Sequence, residues 1–475
     1  MEVFSTLRLF HISDTHLGKR PRRTRTSLVN SKFRPIEDDF YNSWIDFVDY
    51  IVELPDSRRP DLVIHSGDFF DTPSGTDPFS PPEFSRKVTA ETLLKLNQTQ
   101  IPIVIVDGNH GRYMQYQVSP LSEYSIIFDN VHLFTHFDIK EAIRNNKPLY
   151  KDFAEFNLRV HAHPSIETND IPQLFAKYEE WIYTQNKNID PEMINVNVVH
   201  GMVENKTLHK DAIYGGKYDY IAMGDNHKMQ EVSYNAWYAG SPQLWSFSEY
   251  DDKKGFLVVE IDTSNDKYVN ITPKIIPLRR KIISEKIKLF YEDTNSQIIT
   301  RAIEIFNKNG LCRKYDYQSS ARVRLVFEGE KLIGPLFNIH EIMTYLNRVS
   351  LDDDEYNISE FIMDFSNFLG DPIGKNDSSL HPDLNDNYCS SEKFNEYLIE
   401  NPEKEFKEYI CSNRENDLIK NNINPDYLAN LFLNAIQSQS NSNIYGHKNS
   451  TSNDEDTNKI EYSSIKKKMT VNENT

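Results

Sequence analysis

The chain has 475 residues, and its 53 Lys and Arg against 71 Asp and Glu give a formal net charge of −18. A negative charge argues against a protein that binds nucleic acid through its overall field, although a local basic groove stays compatible with it. The sequence contains no apolar run near the roughly 18 residues needed to cross a bilayer, and its length favours more than one domain.

The N-terminus and the cysteines indicate the compartment. The first residues lack the basic start and apolar core of a signal peptide. The three cysteines, Cys312, Cys389 and Cys411, show no close pairing, which predicts a reducing compartment without a disulfide framework. We therefore expect a cytoplasmic protein.

A short apolar stretch near the N-terminus ends in two polar side chains of metal-ligand type. Leu7 to Ile12 is predicted to be a buried strand, and Asp14 and His16 follow it before Gly18. Residues two apart at a strand end project from the same side. A carboxylate and an imidazole can therefore converge there on one metal ion.

Two further predicted strands repeat this plan. The segment 61–66 leads to Asp68, and 101–106 leads to Asn109 and His110. Helices are predicted between the strands at 38–53 and 85–97. This alternation indicates a parallel sheet of βαβ units, in which ligands bind outside the carboxyl ends of the strands.

Later segments add two more strand ends with polar residues. Short strands are predicted in the region 128–164, followed by a helix with apolar spacing from Ile171 to Trp181. The next two strands lead to His200 and to the pair Asp225 and His227. The segments 237–242 and 255–262 are predicted to be the closing strands of the first domain.

The pattern changes near residue 280. A small α/β module is predicted from strands at 282–290, 321–327 and 360–365 and helices at 296–307 and 338–348. Beyond about residue 370 the chain is rich in Asn, Ser and Asp. Helical stretches are predicted there near 391–411 and 425–436, with disorder from 437 onward. For the second stretch, a docking helix for a partner and a simple packed or partly ordered helix are equally favoured. The predicted domains are therefore 1–278, 279–368 and 369–475.

The residues at the strand ends form the ligand set of a metal site. Carboxylate, imidazole and amide oxygen suit Mn²⁺, Fe or Zn²⁺ better than Ca²⁺, and there are enough ligands for two ions. One carboxylate, Asp68, could bridge ions roughly 3.5–4 Å apart and trap a hydroxide between them. Other histidines, His65, His161 and His163, are interpreted as packed within the fold. The candidate site residues are Asp14, His16, Asp68, Asn109, His110, His200, Asp225 and His227.

The most concentrated positive charge follows the first strand end. A solvated loop and a contact with nucleic-acid backbone are equally favoured for it. The candidate DNA-binding residues are Lys19, Arg20, Arg22, Arg23 and Arg25.

Taken together, these motifs resemble those of the calcineurin-like metallophosphoesterases. The flanking segments 14–18, 61–71 and 220–228, followed by Gly-Ser-Pro at 240–242, resemble the SbcD-type nucleases of double-strand-break repair. The resemblance covers roughly residues 7 to 262 and continues loosely through the small module, which would correspond to the capping domain of the family. It implies an α/β fold with a β-sandwich flanked by helices, a small α/β capping domain and a partly disordered C-terminal tail.

The resemblance also implies a role for each site residue. Asp14, His16, Asp68 and His227 would hold a first metal. Asp68 would share the second metal with Asn109, His200 and Asp225. His110 would be the acid that protonates the leaving oxygen or stabilises the transition state.

Two positions depart from the family pattern. Asp225 stands where the family usually has histidine, which predicts altered metal affinity or preference, because a carboxylate still binds Mn²⁺. Gly111 stands where the family usually has an aspartate after the Asn-His pair. Two alternatives stay open: either His110 is less well oriented, or Asp107 takes the place of the missing aspartate.

The resemblance therefore predicts a Mn²⁺-dependent DNA phosphodiesterase with exonuclease and endonuclease activity and two bound Mn²⁺, with Mg²⁺, Fe or Zn²⁺ as alternatives. The predicted partners are DNA, a second copy of the chain, and an SbcC-like ATPase with a long coiled coil, without a membrane. Two rival functions remain. One is a catalytically weakened DNA-binding scaffold, and the other is a phosphoesterase acting on a substrate other than nucleic acid.

Overall fold

The structure is a computed structural model, and it describes most of the first 365 residues. It divides the chain into two units, 1–371 and 372–475. The predicted C-terminal helices and tail lie outside the described residues. Within the described part of the chain, no helix combines the length and the apolar character that a membrane span requires. The described residues are 6–19, 35–71, 81–110, 118–166, 171–203, 209–263, 267–290, 292–329, 337–353 and 355–365.

Fifteen strands are assigned in these residues, and they are numbered in chain order. They are β1 (Thr6–Ile12), β2 (Leu62–His65), β3 (Ile103–Val106), β4 (Val131–Phe134), β5 (Tyr150–Phe153), β6 (Leu158–His163), β7 (Ile194–His200), β8 (Tyr220–Gly224), β9 (Gln230–Ser233), β10 (Ala236–Tyr238), β11 (Gly255–Asp262), β12 (Val269–Ile275), β13 (Ile282–Lys288), β14 (Ala321–Glu328) and β15 (Ile358–Asp364).

The α-helices of the same residues are numbered in the same way. They are α1 (Pro35–Glu53), α2 (Glu83–Thr99), α3 (Ser122–Ile127), α4 (His136–Asn145), α5 (Ile171–Lys187), α6 (Asp211–Tyr214), α7 (Asn295–Lys308) and α8 (Ile339–Asn347).

Two six-stranded sheets form the main body. The first has the order β12-β11-β1-β2-β3-β4, with β1 to β4 parallel and β11 antiparallel to β1. The second has the order β5-β6-β7-β8-β10-β9, in which β6, β7, β8 and β10 are parallel. In the first sheet, α1 and α2 connect β1 to β2 and β2 to β3, as the alternation of predicted strands and helices indicated.

The sheets pack face to face and are covered by helices outside. Leu9 and Ile64 of the first sheet share an apolar core with Val196 and Val198 of the second. On the outer face of the first sheet, α1 and α2 bury Trp44 and other side chains against the β-strands. On the outer face of the second, α4, α5 and α6 form a further core. The fold is therefore the predicted α/β sandwich flanked by helices.

A third, three-stranded sheet is built from the predicted small module. Its strands β13, β14 and β15 are all parallel, and α7 and α8 pack against them in one apolar cluster. Each element predicted between 282 and 365 is present within a few residues of the expected bounds. The division of the chain at 278 and 368 stays a prediction.

Some elements escaped the sequence analysis. The region 128–164 contains the expected strands, but it also contains α4, which begins at a capping box formed by Thr135 and Asp138. The sheet-edge strands β9 and β12 were also not predicted: β9 has a single apolar residue, and the short apolar alternation at the start of β12 was overlooked. The histidines His65, His161 and His163 are buried and hydrogen-bonded inside the fold, as expected.

Candidate metal centre

The loops that follow β1 and β2 run side by side and are joined by backbone hydrogen bonds. The amide of Asp14 donates to the carbonyl of Gly67 at 3.0 Å, and the amide of His16 donates to the carbonyl of Asp68 at 3.0 Å. These bonds continue the parallel pairing of the two strands beyond their ends. They fix the side chains of the first two predicted motifs next to each other.

Several candidate ligands have a left-handed backbone, which is uncommon for residues other than glycine. The φ angles are 51° at Asp14, 45° at His16, 52° at Asp68 and 92° at Asp225. Such conformations cost free energy and concentrate at functional sites, where the surrounding structure holds them. The strained backbone at these residues therefore orients their side chains toward the site.

Two motif glycines allow close approach at the site. A Cβ on Gly67, whose φ is +112°, would lie 2.0 Å from Nδ1 of His200, and a Cβ on Gly108 would lie 1.9 Å from Oδ1 of Asp68. Both distances are far below a van der Waals contact. The Gly-Asp and Gly-Asn pairs of the sequence are therefore required by the packing of one motif against another.

The candidate ligands form overlapping groups whose ligand atoms lie within 4.8 Å of one another. One group is Asp14, His16 and His227, and another is Asp14, Asp68 and His200. Asp68 faces both sides: its Oδ2 lies 3.7 Å from Nε2 of His16, and its Oδ1 lies 3.6 Å from Nε2 of His200. Asp14 belongs to both groups, and Asp68 lies between their histidines.

His200 has the hydrogen bonding of a metal ligand. Its Nδ1 lies 2.8 Å from the carbonyl oxygen of Ser66, which can only accept, so Nδ1 carries the hydrogen. Its buried Nε2 has no hydrogen-bond partner and faces the carboxylates of Asp68 and Asp225, at 3.6 and 3.7 Å. Burial opposes a positive charge on His200, but these carboxylates and Asp14 raise its pKa. The same field favours a metal cation, so the residues fit one.

His227 is oriented in the same way by a side chain. Its Nδ1 lies 2.8 Å from Oε1 of Glu249, and its Nε2 lies 3.1 Å from Nε2 of His16. Burial alone would raise the pKa of Glu249, but His227 and Lys254 lower it to about 2, so this carboxylate accepts the Nδ1 hydrogen. Nε2 of His227 is therefore directed toward the group that contains Asp14 and His16.

Asn109 and Asp225 lie at the open side of the site. The Asn109 amide nitrogen donates to Oδ1 of Asp225 at 2.8 Å, and Asn109 is exposed. The Asp225 amide also donates to the Asp14 carboxylate, at 3.3 Å. The family usually has histidine at this position. In this chain the Asp225 carboxylate stands there and faces His200.

The carboxylates of the site have unequal pKa values. Burial is the main reason that the pKa of Asp14 rises to about 6. Burial also acts to raise the pKa of Asp68, but His200, His110 and His16 more than offset it and hold the pKa below its ordinary value. Asp68 is therefore an anion surrounded by imidazoles, as a shared ligand has to be.

The orientation of His110 is decided by Asp71. Nδ1 of His110 lies 3.1 Å from Oδ1 of Asp71, and the His110 amide donates to Asp68 at 2.8 Å. Asp107, which the sequence offered as a substitute for the missing aspartate, instead accepts hydrogen bonds from Ser119 at 2.8 Å and from the backbone of His136 at 3.2 Å. Asp71, and not Asp107, contacts the predicted catalytic histidine.

The basic loop is described only at its first residue. Nζ of Lys19 lies 3.0 Å from the ring centroid of Trp245, and that ring packs against His16 with centroids 4.0 Å apart. Lys19 therefore lies beside the metal-ligand groups. The other candidate DNA-binding residues, Arg20, Arg22, Arg23 and Arg25, lie outside the described residues.

The structure adds two acidic residues that the sequence analysis did not assign. Asp71 ends the Gly-Asp-Phe-Phe-Asp segment, so its place in a motif was a signal that could have been used. Glu249 lies in a short 3₁₀ turn, 22 residues after His227, and no strand-end pattern marks it. Its role depends on a contact that only folding creates.

Comparison with known families agrees with this geometry. The family model described as calcineurin-like phosphoesterase matches residues 7–250, which are 244 of the 475 residues. The chain belongs to the calcineurin-like phosphoesterase family.

Within that family, the chain is distantly similar to two named groups of curated proteins. It is 29% identical to a "DNA double-strand break repair protein Mre11" of Methanococcus maripaludis over 59% of this chain and 70% of the relative. It is 25% identical to a Staphylococcus epidermidis protein, named as a subunit of the nuclease SbcCD, over 64% of this chain and 77% of the relative. A Methanocaldococcus jannaschii Mre11 protein is 24% identical over 76% of this chain and 90% of the relative. These matches support the predicted resemblance.

Proposed function

We propose that this chain is a Mn²⁺-dependent DNA phosphodiesterase of double-strand-break repair, with exonuclease and endonuclease activity. The observation that carries the proposal is the position of Asp68 between His16 and His200, with Asp14 grouped with both histidines and His227 on the side of His16. The relatives named as repair proteins and as parts of a nuclease support DNA as the substrate.

Each predicted ligand keeps its proposed role. Asp14, His16, Asp68 and His227 would hold one ion, and Asp68, Asn109, His200 and Asp225 the other, with Mg²⁺, Fe or Zn²⁺ as alternatives to Mn²⁺. When bound, two such ions lower the pKa of water and neutralise charge on a phosphate. Asn109 is exposed, and we expect the substrate to approach from its side.

His110 has the properties of a proton donor. Burial would lower its pKa, but the carboxylates of Asp68 and Asp71 raise it to about 9. The ring therefore carries a proton at neutral pH, and the bond from Nδ1 to Asp71 fixes its plane. His110 would deliver that proton to the leaving sugar oxygen.

The partners follow from the relatives and from the sequence. We propose that the chain acts together with an SbcC-like coiled-coil ATPase, because one group of relatives is named as part of the SbcCD nuclease. A homodimer in the cytoplasm is proposed from the resemblance and from the sequence. Lys19, near the site, would contact DNA backbone together with Arg20, Arg22, Arg23 and Arg25. The domains 1–278, 279–368 and 369–475 would be the nuclease, the cap and the partner-docking region.

The test is cleavage of end-labelled duplex and hairpin DNA with Mn²⁺, Mg²⁺ or a chelator. We expect Mn²⁺-dependent cleavage that Asp68→Asn abolishes, because that change removes the carboxylate charge between His16 and His200. A folded protein that binds no Mn²⁺ and cuts no DNA would support the scaffold alternative. If only phosphoproteins or small phosphodiesters were cleaved in a substrate panel, this would support a phosphoesterase that acts on a substrate other than nucleic acid.

A further inference from the structure

The segment Leu244–Glu249 borders the metal centre and is fixed at both ends by buried charged side chains. Glu249 contacts the candidate ligand His227 through Oε1, at 2.8 Å. Its other oxygen, Oε2, accepts from Nζ of Lys254 at 2.7 Å and from the backbone amide of Trp245 at 3.1 Å. Both carboxylate oxygens are therefore engaged, and only one of them faces a predicted ligand.

Lys254 has no contact with the predicted ligands except through the backbone. Its side chain is fully buried, and besides Glu249 it donates to the carbonyl of His227 at 2.9 Å and to Oγ of Ser241 at 3.0 Å. A buried ammonium group is costly unless it is paired and hydrogen-bonded. The three bonds satisfy Lys254 completely, and they tie Glu249 to the backbone of the residue whose ring it orients.

The same segment is bound from the small sheet. Arg322 of β14 is buried, pairs with Glu360 of β15 at 2.5 Å, and donates through Nη1 to the carbonyl oxygen of Leu244 at 2.7 Å. That carbonyl and the amide of Trp245 belong to one peptide group. Arg322 therefore holds the oxygen of this peptide group, while Glu249 holds its N–H.

We propose that Glu249, fixed by Lys254, is a positioning residue for the metal ligand His227, and that Arg322 supports it through the Leu244–Trp245 peptide group. The proposal rests on the proposed metal centre. The proposal gives the small sheet a role in binding one of the two metal ions. His227 belongs to the group with Asp14 and His16. His200, on the other side of the site, is oriented separately by the carbonyl of Ser66.

The test is Mn²⁺ titration of the full chain by calorimetry, comparing wild type with Glu249→Gln. Loss of a partner that orients a ligand typically weakens metal binding by about 10- to 100-fold. We expect the affinity to fall by this factor in one of the two Mn²⁺ binding steps. The other step should be unchanged, since His200 keeps its own hydrogen-bond partner. A variant that is only misfolded would weaken both steps. The double variant Glu249→Gln with Lys254→Met leaves no unpaired ammonium group. Its two Mn²⁺ affinities should equal those of Glu249→Gln.

Glu260→Gln is the matched control for Glu249→Gln. It removes one carboxylate charge from the nearby strand β11, where Glu260 pairs with Arg8 and contacts no predicted ligand. Glu249→Gln with the same two affinities as Glu260→Gln and wild type would overturn the proposal and leave the metal centre intact. A wild-type chain that takes up no Mn²⁺ would instead overturn the proposed function, and this proposal with it.

The role of the small sheet is tested by Arg322→Lys against Arg280→Lys. Arg280 is also buried and paired, but it binds Asp39 of α1, at 2.5 Å, away from the Leu244–Glu249 segment. We expect Arg322→Lys to weaken the same single step as Glu249→Gln, by a smaller factor, and Arg280→Lys to leave both steps unchanged. Equal effects of the two arginine variants would overturn the part assigned to Arg322.

Discussion

Asp71 shows how one carboxylate can serve two histidines. Its Oδ1 lies 3.1 Å from Nδ1 of His110 and 3.7 Å from Nδ1 of His16. The first distance is that of a hydrogen bond, and the second is longer than one. Although burial would raise the pKa of Asp71, these two rings lower it. The residue therefore stays ionised and supports the imidazolium form of His110.

Removing the charge of Asp71 should slow the chemical step more than it weakens binding. At saturating Mn²⁺ we expect Asp71→Asn to lower kcat by about 100-fold, the lower end of what loss of a general acid costs, with KM little changed. The measurement is steady-state cleavage of a short DNA duplex. Asp107→Asn is the control, because Asp107 bonds Ser119 and His136. Equal losses in the two variants would contradict the role of Asp71.

At the scale of elements, the centre depends on how closely the loops after the strands approach one another. The loop after β2 lies between the loop after β1, to which it is hydrogen-bonded, and the end of β7, where His200 stands. Gly67 is the point of contact with His200. The fit of these loops is therefore as important as the ligands that they carry.

Gly67→Ala should disrupt the centre for steric reasons. Its Cβ would lie 2.0 Å from Nδ1 of His200, so the ring would have to move away from the Ser66 carbonyl. We expect loss of Mn²⁺ binding on that side and of DNA cleavage. Gly310→Ala is the control: Gly310 also has a left-handed backbone, with φ +72°, but a Cβ there meets nothing within 4 Å. Both variants carry the left-handed strain of about 1–2 kcal/mol, so a centre that survives Gly67→Ala as well as Gly310→Ala would refute the steric argument.

At the scale of the whole molecule, the sandwich buries histidines that have no place in the metal centre. His11 is enclosed between the sheets, with Nδ1 at 2.7 Å from the Tyr220 hydroxyl and Nε2 at 2.8 Å from Oγ of Ser66. Burial lowers its pKa to about 3. In the unfolded chain the pKa would be about 6.5, so the unfolded state binds more protons below that pH.

The sandwich should therefore lose stability as the pH falls from about 6.5 toward about 3, where folded His11 stays neutral and unfolded His11 is charged. At about pH 5, this single residue would lower the free energy of unfolding by about 2 kcal/mol. The measurement is urea unfolding with chelator, followed by tryptophan fluorescence, which reports on the sandwich because all four Trp lie between 44 and 245. Glutamine cannot take up a proton. Between about pH 7.5 and about pH 5, the free energy of unfolding of His11→Gln should therefore fall by about 2 kcal/mol less than that of wild type. The same pH dependence in His11→Gln and in wild type would contradict this role of His11.

The sequence by itself determined the elements and the kinds of ligand. Apolar stretches followed by Asp14, Asp68, Asn109, His200 and His227 are local patterns, and local patterns decide where a strand ends and which polar side chain follows it. The same holds for the small module, whose strands and helices were predicted closely. The edge strand β9 was missed, because pairing with β10, and not its own pattern, makes it a strand.

Only the tertiary structure decided how each ligand is held. Asp71, Glu249 and Arg322 act on residues 39, 22 and 78 positions away in the chain. No periodicity or spacing records such pairs, because a buried polar side chain takes its partner from whichever loop the packing brings near. The sequence therefore predicted the candidate ligands of a metal centre, whereas the packing of the loops determined which side chains contact them.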